Sequence, residues 1–282
     1  MKLNYFDLHS HLNFSAYDDD RSDAIMRMNE AGVGTITVGT QYDTSELAVK
    51  LAEENENIYA SVGLHPIHTS KSHHDSKELG EGGKEFTSRG EIPDMSVYMR
   101  LAAHPKVVAI GECGLDYYRC PEETIALQIK FFEQMIDVAN QSGKPLMLHI
   151  RNGSGKSAYN DAFQILKGRS KVIGNLHFYA GSIEEAKPYL DMGYTFSFTG
   201  VITFTRDYDE IIKYLPADRI MSETDAPYVT PNPFRGQRNE PVYVREVVKA
   251  IAEIRREDEG QVAKSLLGNA QKFISIPPSP RG

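Results

Sequence analysis

Residues 107–110 read Val-Val-Ala-Ile, and residues 145–148 read Pro-Leu-Met-Leu. Runs that are apolar throughout are typical of strands covered on both faces, as in a parallel sheet flanked by helices. Six further short runs of this kind recur along the chain, and a helix-like amphipathic stretch follows each of them. The eight predicted strands are residues 3–8, 33–38, 58–63, 106–111, 145–149, 172–177, 194–198 and 219–223.

Eight strands that alternate with helical patterns predict parallel pairing and a single (β/α)8 TIM barrel of the α/β class. The helical patterns lie near residues 20–31, 43–55, 94–104, 122–142, 157–167, 183–192, 207–214 and 241–256. An open doubly wound sheet is the alternative, but no Gly-x-Gly-x-x-Gly turn follows the first strand. We expect the barrel to span 1–276, with a polar insertion or flap at 69–93 after the third strand and a flexible tail at 277–282.

The composition is that of an ordinary globular protein. Hydrophobic residues make up 40% of the chain and charged residues 25%, which argues against disordered and collagen-like classes. No apolar run approaches the ~18 residues of a membrane helix, and Asp7 and His9 follow the N-terminus too closely for a signal peptide. Two cysteines do not make a disulfide framework. We therefore expect a cytoplasmic protein without membrane attachment, and we infer no obligate protein partner.

The net charge of −8 limits how the protein can hold a polyanion. A protein that binds nucleic acid mainly through a basic surface would not have this balance. A polyanionic substrate must therefore be attracted locally, by metal ions or by a few arginines.

Polar side chains of the metal-ligand type cluster at the ends of the predicted strands, where active sites of such barrels lie. His9 and His11 are two residues apart on extended backbone, so both point to one side of the sheet. His149 and His177 end consecutive strands, roughly 5 Å apart. Four imidazoles with two carboxylates suit one or two divalent cations such as Zn, Mn or Mg. The candidate ligands are His9, His11, Glu112, His149, His177 and Asp225.

Longer motifs surround these residues and cover nearly the whole chain. They are Asp7-x-His9-x-His11, Gly63-Leu-His-Pro66, Ile110-Gly-Glu-Cys-Gly-Leu-Asp-Tyr-Tyr118, Leu148-His149-x-Arg151, Glu223-Thr-Asp-Ala-Pro-Tyr228, Arg235-Gly-Gln-Arg-Asn-Glu-Pro241 and Gly268-Asn269-Ala270. With these motifs the sequence resembles the TatD-like DNase family, metal-dependent hydrolases with an amidohydrolase-type barrel.

The resemblance implies that the six candidate ligands hold two divalent cations (Mg, Mn or Zn), with Glu112 bridging them. It also implies hydrolysis of DNA phosphodiester bonds by a metal-activated water, as a 3′→5′ exonuclease on single-stranded DNA. Two motifs depart from the family pattern: His177-Phe-Tyr-Ala-Gly181 replaces His-Cys-Phe-Ser-Gly, and Ile150-Arg-Asn152 replaces Ser-Arg-Asp. Neither change removes a proposed ligand, but both alter the expected substrate rim.

Further residues have candidate roles beside the metal ligands. Asp225 is expected to orient the water or accept its proton. The resemblance places His65 in the active site, where we expect it to contact the scissile phosphate or assist proton transfer; a structural turn histidine is the alternative. Glu223 is either a partner that fixes a histidine tautomer or a member of a structural ion pair. Three arginines are candidate substrate-binding residues because guanidinium groups suit phosphate oxygens: Arg151, Arg235 and Arg238, the last with a structural role as the alternative.

Two other functions are compatible with the same residues. One is hydrolysis of a small cyclic amide, lactone or ester, although no lysine stands at the end of the fourth or fifth strand to become a carbamylated ligand. The other is a non-catalytic nucleic-acid-binding protein with a structural metal. Structural sites use four ligands and no open position, so six ligands around a barrel mouth favour catalysis.

Overall fold

The protein forms a nearly closed barrel of eight parallel strands in a computed structural model that describes residues 2–74 and 86–274. This confirms the predicted (β/α)8 architecture. The barrel strands pair in the order β1, β2, β3, β6, β7, β8, β9, β10. Their bounds are β1 Tyr5–Ser10, β2 Val33–Val38, β3 Ile58–Val62, β6 Val107–Asp116, β7 Leu146–Arg151, β8 Gly174–Leu176, β9 Thr195–Phe198 and β10 Ile220–Ser222.

Main-chain bonds just beyond the strand ends join β10 to β1. The Asp225 N–H donates to the His9 carbonyl (2.9 Å), and the His11 N–H donates to the Ala226 carbonyl (2.7 Å). The segment after β10 therefore lies directly beside the two histidines at the end of β1. In the fold, this is what brings Asp225 to the metal-ligand cluster.

Helices connect the strands close to the predicted positions. Asp94, Ser157 and Ser182 begin three of them, each with a side-chain oxygen that accepts a backbone N–H of the first turn. The α-helices span Arg21–Glu30, Tyr42–Glu54, Met95–Ala102, Ile125–Ser142, Ala158–Arg169, Ile183–Asp191, Asp209–Tyr214, Val244–Arg255 and Glu259–Ile274. None of the described helices has the length and apolar character needed to cross a bilayer.

The last of these helices, Glu259–Ile274, was not among the predicted elements. Ala270 and Phe273 of this helix join an apolar cluster with Phe6, Met147 and Met221. These partners come from β1, β7 and β10, and β7 lies across the ring from the other two strands, so the cluster fills the barrel interior. The helix therefore contributes to the core at the end of the barrel opposite the strand C-termini.

The predicted insertion at 69–93 contains two further strands where the structure describes it. β4 (Lys71–His74) and β5 (Phe86–Arg89) form an antiparallel pair outside the barrel. Residues 75–85 of the insertion and the predicted tail at 277–282 lie outside the described residues. The division of the chain into barrel, insertion and tail therefore stays a prediction.

Strand β6 is longer than the predicted 106–111 because it contains an irregularity and then resumes pairing. Its register with β7 shifts between Ile110 and Cys113, and pairing continues to Asp116. Gly111 (φ 150°) lies within the shift and Gly114 (φ 146°) directly after it, and a Cβ on either would lie within 2.2 Å of a β7 carbonyl oxygen. Only glycine fits these two positions, and Glu112 lies within the same shift.

Candidate metal centre

Glu112 lies at the centre of the site with both carboxylate oxygens facing histidines. Its Oε2 is 3.4 Å from His9 Nε2 and 3.7 Å from His11 Nε2. Its Oε1 is 3.0 Å from His149 Nδ1 and 3.2 Å from His177 Nε2. One carboxylate thus separates two pairs of imidazoles, which is the arrangement required of a group that bridges two cations.

The first pair of histidines presents its Nε2 atoms to a common point. His11 Nδ1 donates to the Val38 carbonyl (2.9 Å), so in the neutral ring Nε2 carries the lone pair. His9 Nε2 lies 3.2 Å from this atom. Asp225 Oδ1 completes the group at 3.4 Å from His11 Nε2 and 3.8 Å from His9 Nε2.

The second pair is oriented by two buried carboxylates. Glu223 Oε1 is 3.0 Å from His177 Nδ1, and Asp116 Oδ2 is 2.9 Å from His149 Nε2. Each contact holds one ring nitrogen and leaves the other directed at Glu112. A carboxylate behind a ligating histidine fixes its tautomer and raises its basicity.

The donor set fits divalent cations on several independent grounds. Three groups of His, Asp and Glu ligand atoms each lie within 4.8 Å of one another: His9 with His11 and Asp225, His9 with His177 and Glu223, and His65 with Glu112 and His149. Among the described side chains, His9 Nδ1 and Glu223 Oε2 are buried without a hydrogen-bond partner. Nitrogen and carboxylate ligands suit Zn and Mn, and carboxylates suit Mg as well.

The pKa shifts of His9 and Glu112 favour cation binding, whereas His149 and His177 must release a proton to bind metal. Burial alone would lower the pKa of these last two histidines, but the carboxylates around them raise it. Burial lowers the pKa of His9, and the neighbouring His177 lowers it further. Burial by itself raises the pKa of Glu112, but the surrounding histidines, His65 foremost, hold it well below its usual range. A neutral imidazole beside an ionised carboxylate is the state in which both bind metal.

His65 belongs to the centre, and a backbone contact fixes which of its ring nitrogens carries the proton. Its Nδ1 accepts the Ile67 N–H at 3.0 Å, so the neutral ring carries its proton on Nε2. Burial and the neighbouring His149 lower its pKa to about 4, which keeps the ring neutral near pH 7. Nε2 points towards Glu112 Oε1 at 3.4 Å. His65 therefore presents an N–H donor to the site.

A cavity of about 700 Å³ opens above the centre and exposes it to substrate. Its floor includes His11, Glu112 and Asp225, and Thr87 of the hairpin strand β5 lies on one wall. Arg119 and Arg151 also line it. The Arg151 guanidinium stacks on the Tyr118 ring at 4.1 Å. The cavity thus combines a floor of candidate metal ligands with a wall that carries two arginine side chains, Arg119 and Arg151.

Residues 6–275 match the family model described as TatD related DNase. The chain belongs to the TatD family of metal-dependent hydrolases. It is 35% identical to YabD of Bacillus subtilis, an uncharacterized metal-dependent hydrolase, over 96% of this chain and 99% of that protein. It is 31% identical to the uncharacterized metal-dependent hydrolase TatD of Mycobacterium tuberculosis, over 96% of this chain and 97% of that protein.

The crystal structure of YjjV, a TatD homologue from Escherichia coli, has the same fold. It superposes with a TM-score of 0.81 at 26% identity and covers 98% of this chain and all of that one (100%). The family resemblance inferred from the motifs is therefore confirmed.

The structure brings the six predicted ligands of this TatD-family site together, but it places two of the three predicted arginines elsewhere. Arg238 pairs with Asp20 through two nitrogens (2.6 and 2.7 Å) and with Glu240 (3.1 Å). Arg235 donates to the Thr230 carbonyl and stacks on Phe204. Neither lines the cavity. Their positions support structural roles, because nearby groups already engage both guanidinium groups.

Two residues at the TatD-family site were missed from the sequence. Asp116 contacts His149, and Arg119 lines the cavity. Both lie within or directly after the quoted motif that ends at Tyr118. Two features of the sequence could have indicated them: Asp116 follows Glu112 by four residues, and Arg119 lies three residues further on.

Proposed function

We propose that this protein is a divalent-metal-dependent deoxyribonuclease that hydrolyses phosphodiester bonds of single-stranded DNA from the 3′ end. The observation that carries the proposal is the two-sided position of Glu112 between His9 and His11 on one side and His149 and His177 on the other. Two bridged cations about 3.5–4 Å apart suit in-line displacement at phosphorus. The family description supports DNA as the substrate.

The six candidate ligands would hold the cations at the floor of the cavity. Divalent cations bound there supply Lewis-acid chemistry, which polarises a phosphoryl oxygen and lowers the pKa of water. Around them, Asp225 offers a carboxylate with a side chain 14% exposed, compared with 4% for Glu112. The more open carboxylate is the better placed to accept the proton of the attacking water.

The remaining groups bind and orient the substrate. The His65 Nε2–H is placed to donate to a non-bridging phosphate oxygen, because its Nδ1 already accepts a backbone N–H. Arg119 and Arg151 line the cavity and can hold the flanking phosphates. With a net charge of −8, attraction of DNA depends on these local cations and the metal ions.

The test follows 5′-labelled and 3′-labelled single-stranded oligonucleotides with metal-stripped protein to which Mg, Mn or Zn is returned. We expect metal-dependent shortening from the 3′ end. Glu112→Gln should reduce the rate by at least about 10²-fold, comparable to the loss of one preorganised charge-stabilising group. Glu133→Gln is the matched control, because Glu133 lies on the surface of the helix at 125–142, with a side chain 40% exposed.

Four results would overturn parts of the proposal. Undiminished cleavage by Glu112→Gln would remove its bridging role. Shortening from the 5′ end would reverse the polarity. A metal-loaded protein that cleaves no DNA would favour hydrolysis of a small amide, lactone or ester, and salt-dependent DNA binding without turnover would favour the non-catalytic alternative.

A further inference from the structure

Asp116 is a fully buried carboxylate at the end of β6, and its two oxygens contact different parts of the site. Its Oδ2 lies 2.9 Å from His149 Nε2. Its Oδ1 accepts the backbone N–H of Tyr118 (2.9 Å) and of Arg119 (2.7 Å). A single side chain therefore contacts both a candidate metal ligand and the turn that leads onto the cavity wall.

The contact with His149 decides which ring nitrogen is available to a cation. A carboxylate only accepts hydrogen bonds, so a neutral ring that donates to Asp116 carries its proton on Nε2. Nδ1, 3.0 Å from Glu112 Oε1, is then the bare nitrogen. An imidazole between two carboxylates lacks a proton for one of them unless it is charged or a cation lies between. A cation bound on the Glu112 side would take the place of that missing proton and leave the Nε2–H of the ring to Asp116.

The contact with the turn fixes the position of the cationic wall. Arg119 lines the cavity, and the Tyr118 ring supports the Arg151 guanidinium at 4.1 Å. The backbone of Asp116 is itself held from the helix at 125–142, where Gln128 bonds both its N–H (2.9 Å) and its carbonyl (3.2 Å). Gln128 therefore fixes the backbone from which the Asp116 carboxylate extends.

We propose that Asp116 is a positioning residue that ties the metal-facing nitrogen of His149 to the turn at 117–119, and so sets the spacing between the metal centre and the arginines of the wall. This inference rests on the proposed function for the identity of the substrate. The part of the inference that concerns metal binding does not depend on the proposed function.

Three variants separate the two contacts. Asp116→Ser loses the reach to His149 but keeps an oxygen that accepts the N–H groups two and three residues on. Arg119→Ala leaves Asp116 intact and removes one of the two arginine side chains of the wall. Asp116→Ala removes both contacts. Asp137→Ser and Arg169→Ala are the matched controls, since these two residues pair with each other on the surface.

Metal affinity is measured by competition with a chelator, and DNA affinity by fluorescence anisotropy of a labelled single-stranded oligonucleotide at saturating Mn²⁺. Asp116→Ser should weaken metal binding about 10- to 100-fold, the usual effect of losing a carboxylate behind a ligating histidine, and should spare DNA affinity. Arg119→Ala should weaken DNA binding about tenfold and spare metal affinity. Asp116→Ala should show both losses.

A second measurement tests the route of the effect. If Asp116 acts through His149, then Asp116→Ser should weaken metal binding no further in a His149→Ala background. Unchanged metal affinity in Asp116→Ser, or full additivity with His149→Ala, would overturn the inference. If the wild-type protein neither binds nor cleaves DNA, the proposed function fails, while the metal measurements still decide the role of Asp116. Should Asp116→Ala not fold, the other two variants still separate the contacts.

Discussion

Arg151 and Arg238 both lie within motifs that the sequence assigns to the site, yet their surroundings differ. Arg238 is held by Asp20 and Glu240 and covers the Tyr17 ring at 4.3 Å. Arg151 lies on a neutral ring and lines the cavity, and within residues 2–74 and 86–274 it forms no ion pair. Whether an arginine side chain is available to a substrate thus depends on the carboxylates that the fold places beside it.

The same contrast separates two larger regions. We call the four charged residues Asp20, Arg27, Arg238 and Glu240 the ion-pair network. The network balances two carboxylates with two guanidinium groups. The metal centre gathers carboxylates around histidines and has no arginine or lysine among its described contacts. The centre is therefore suited to an external cation, whereas the charges of the network already balance one another.

Removal of metal from the centre should cause the largest change in stability. A cation present at 1,000 times its Kd stabilises the folded state by about 4 kcal/mol. Chelation should therefore lower Tm by roughly 10 °C, measured by differential scanning fluorimetry. Glu112→Gln should show a much smaller chelator effect. An identical Tm with and without chelator would contradict a metal centre of this strength.

Breaking the ion-pair network should cost about half as much. Arg238→Ala leaves Asp20 and the largely buried Glu240 short of a partner, and we expect a loss of about 2 kcal/mol, since the pair is partly exposed. Chemical denaturation measures the loss, and Arg238→Lys should recover only part of it because lysine lacks the bidentate geometry. Unchanged stability together with weaker DNA binding would make Arg238 a substrate residue.

Arg151→Ala should show the opposite pattern. We expect the KM for single-stranded DNA to rise about tenfold, the loss of one charge-assisted contact to phosphate. The unfolding free energy should change by no more than about 0.5 kcal/mol. Steady-state kinetics and denaturation of the same preparation check both halves. A large loss of stability without a change in KM would place Arg151 with Arg238.

The smallest effect concerns salt. If only Arg119 and Arg151 contact phosphates, the logarithm of the DNA affinity should fall with the logarithm of salt concentration with a slope of about −1.4. Titrations at fixed Mn²⁺ measure this slope. A slope several times steeper would indicate further cations outside the cavity and would weaken the contrast drawn between the two arginines.

Most of the fold followed from hydrophobic runs, because a strand covered on both faces must be apolar throughout. The hairpin of β4 and β5 was missed because Lys71-Ser-His-His74 lacks the apolar alternation of a strand. The helix at 259–274 was missed although Val262, Leu266 and Phe273 recur at helical spacing. Its signal was present, but a ninth helix has no place in the eightfold repeat.

The site followed from residue types at strand ends, whereas its supporting contacts did not. The sequence places His149 and Glu112 on neighbouring strands, so their approach was predictable. The register shift that extends β6 to Asp116 was not, because it depends on how Gly111 and Gly114 meet β7. For Arg238 the deciding partner is Asp20, more than 200 residues away along the chain, and local sequence carries no information about that contact.

The helix at 259–274 has a consequence for synthesis of the protein on the ribosome. Phe273 packs with Phe6, so the first barrel strand waits for one of the last described helices before its inner face is covered. Until then the nascent chain exposes apolar surface of strands that have no local partner, and contacts of such long sequence separation form slowly. The growing barrel is therefore exposed to aggregation until this helix has emerged from the ribosome.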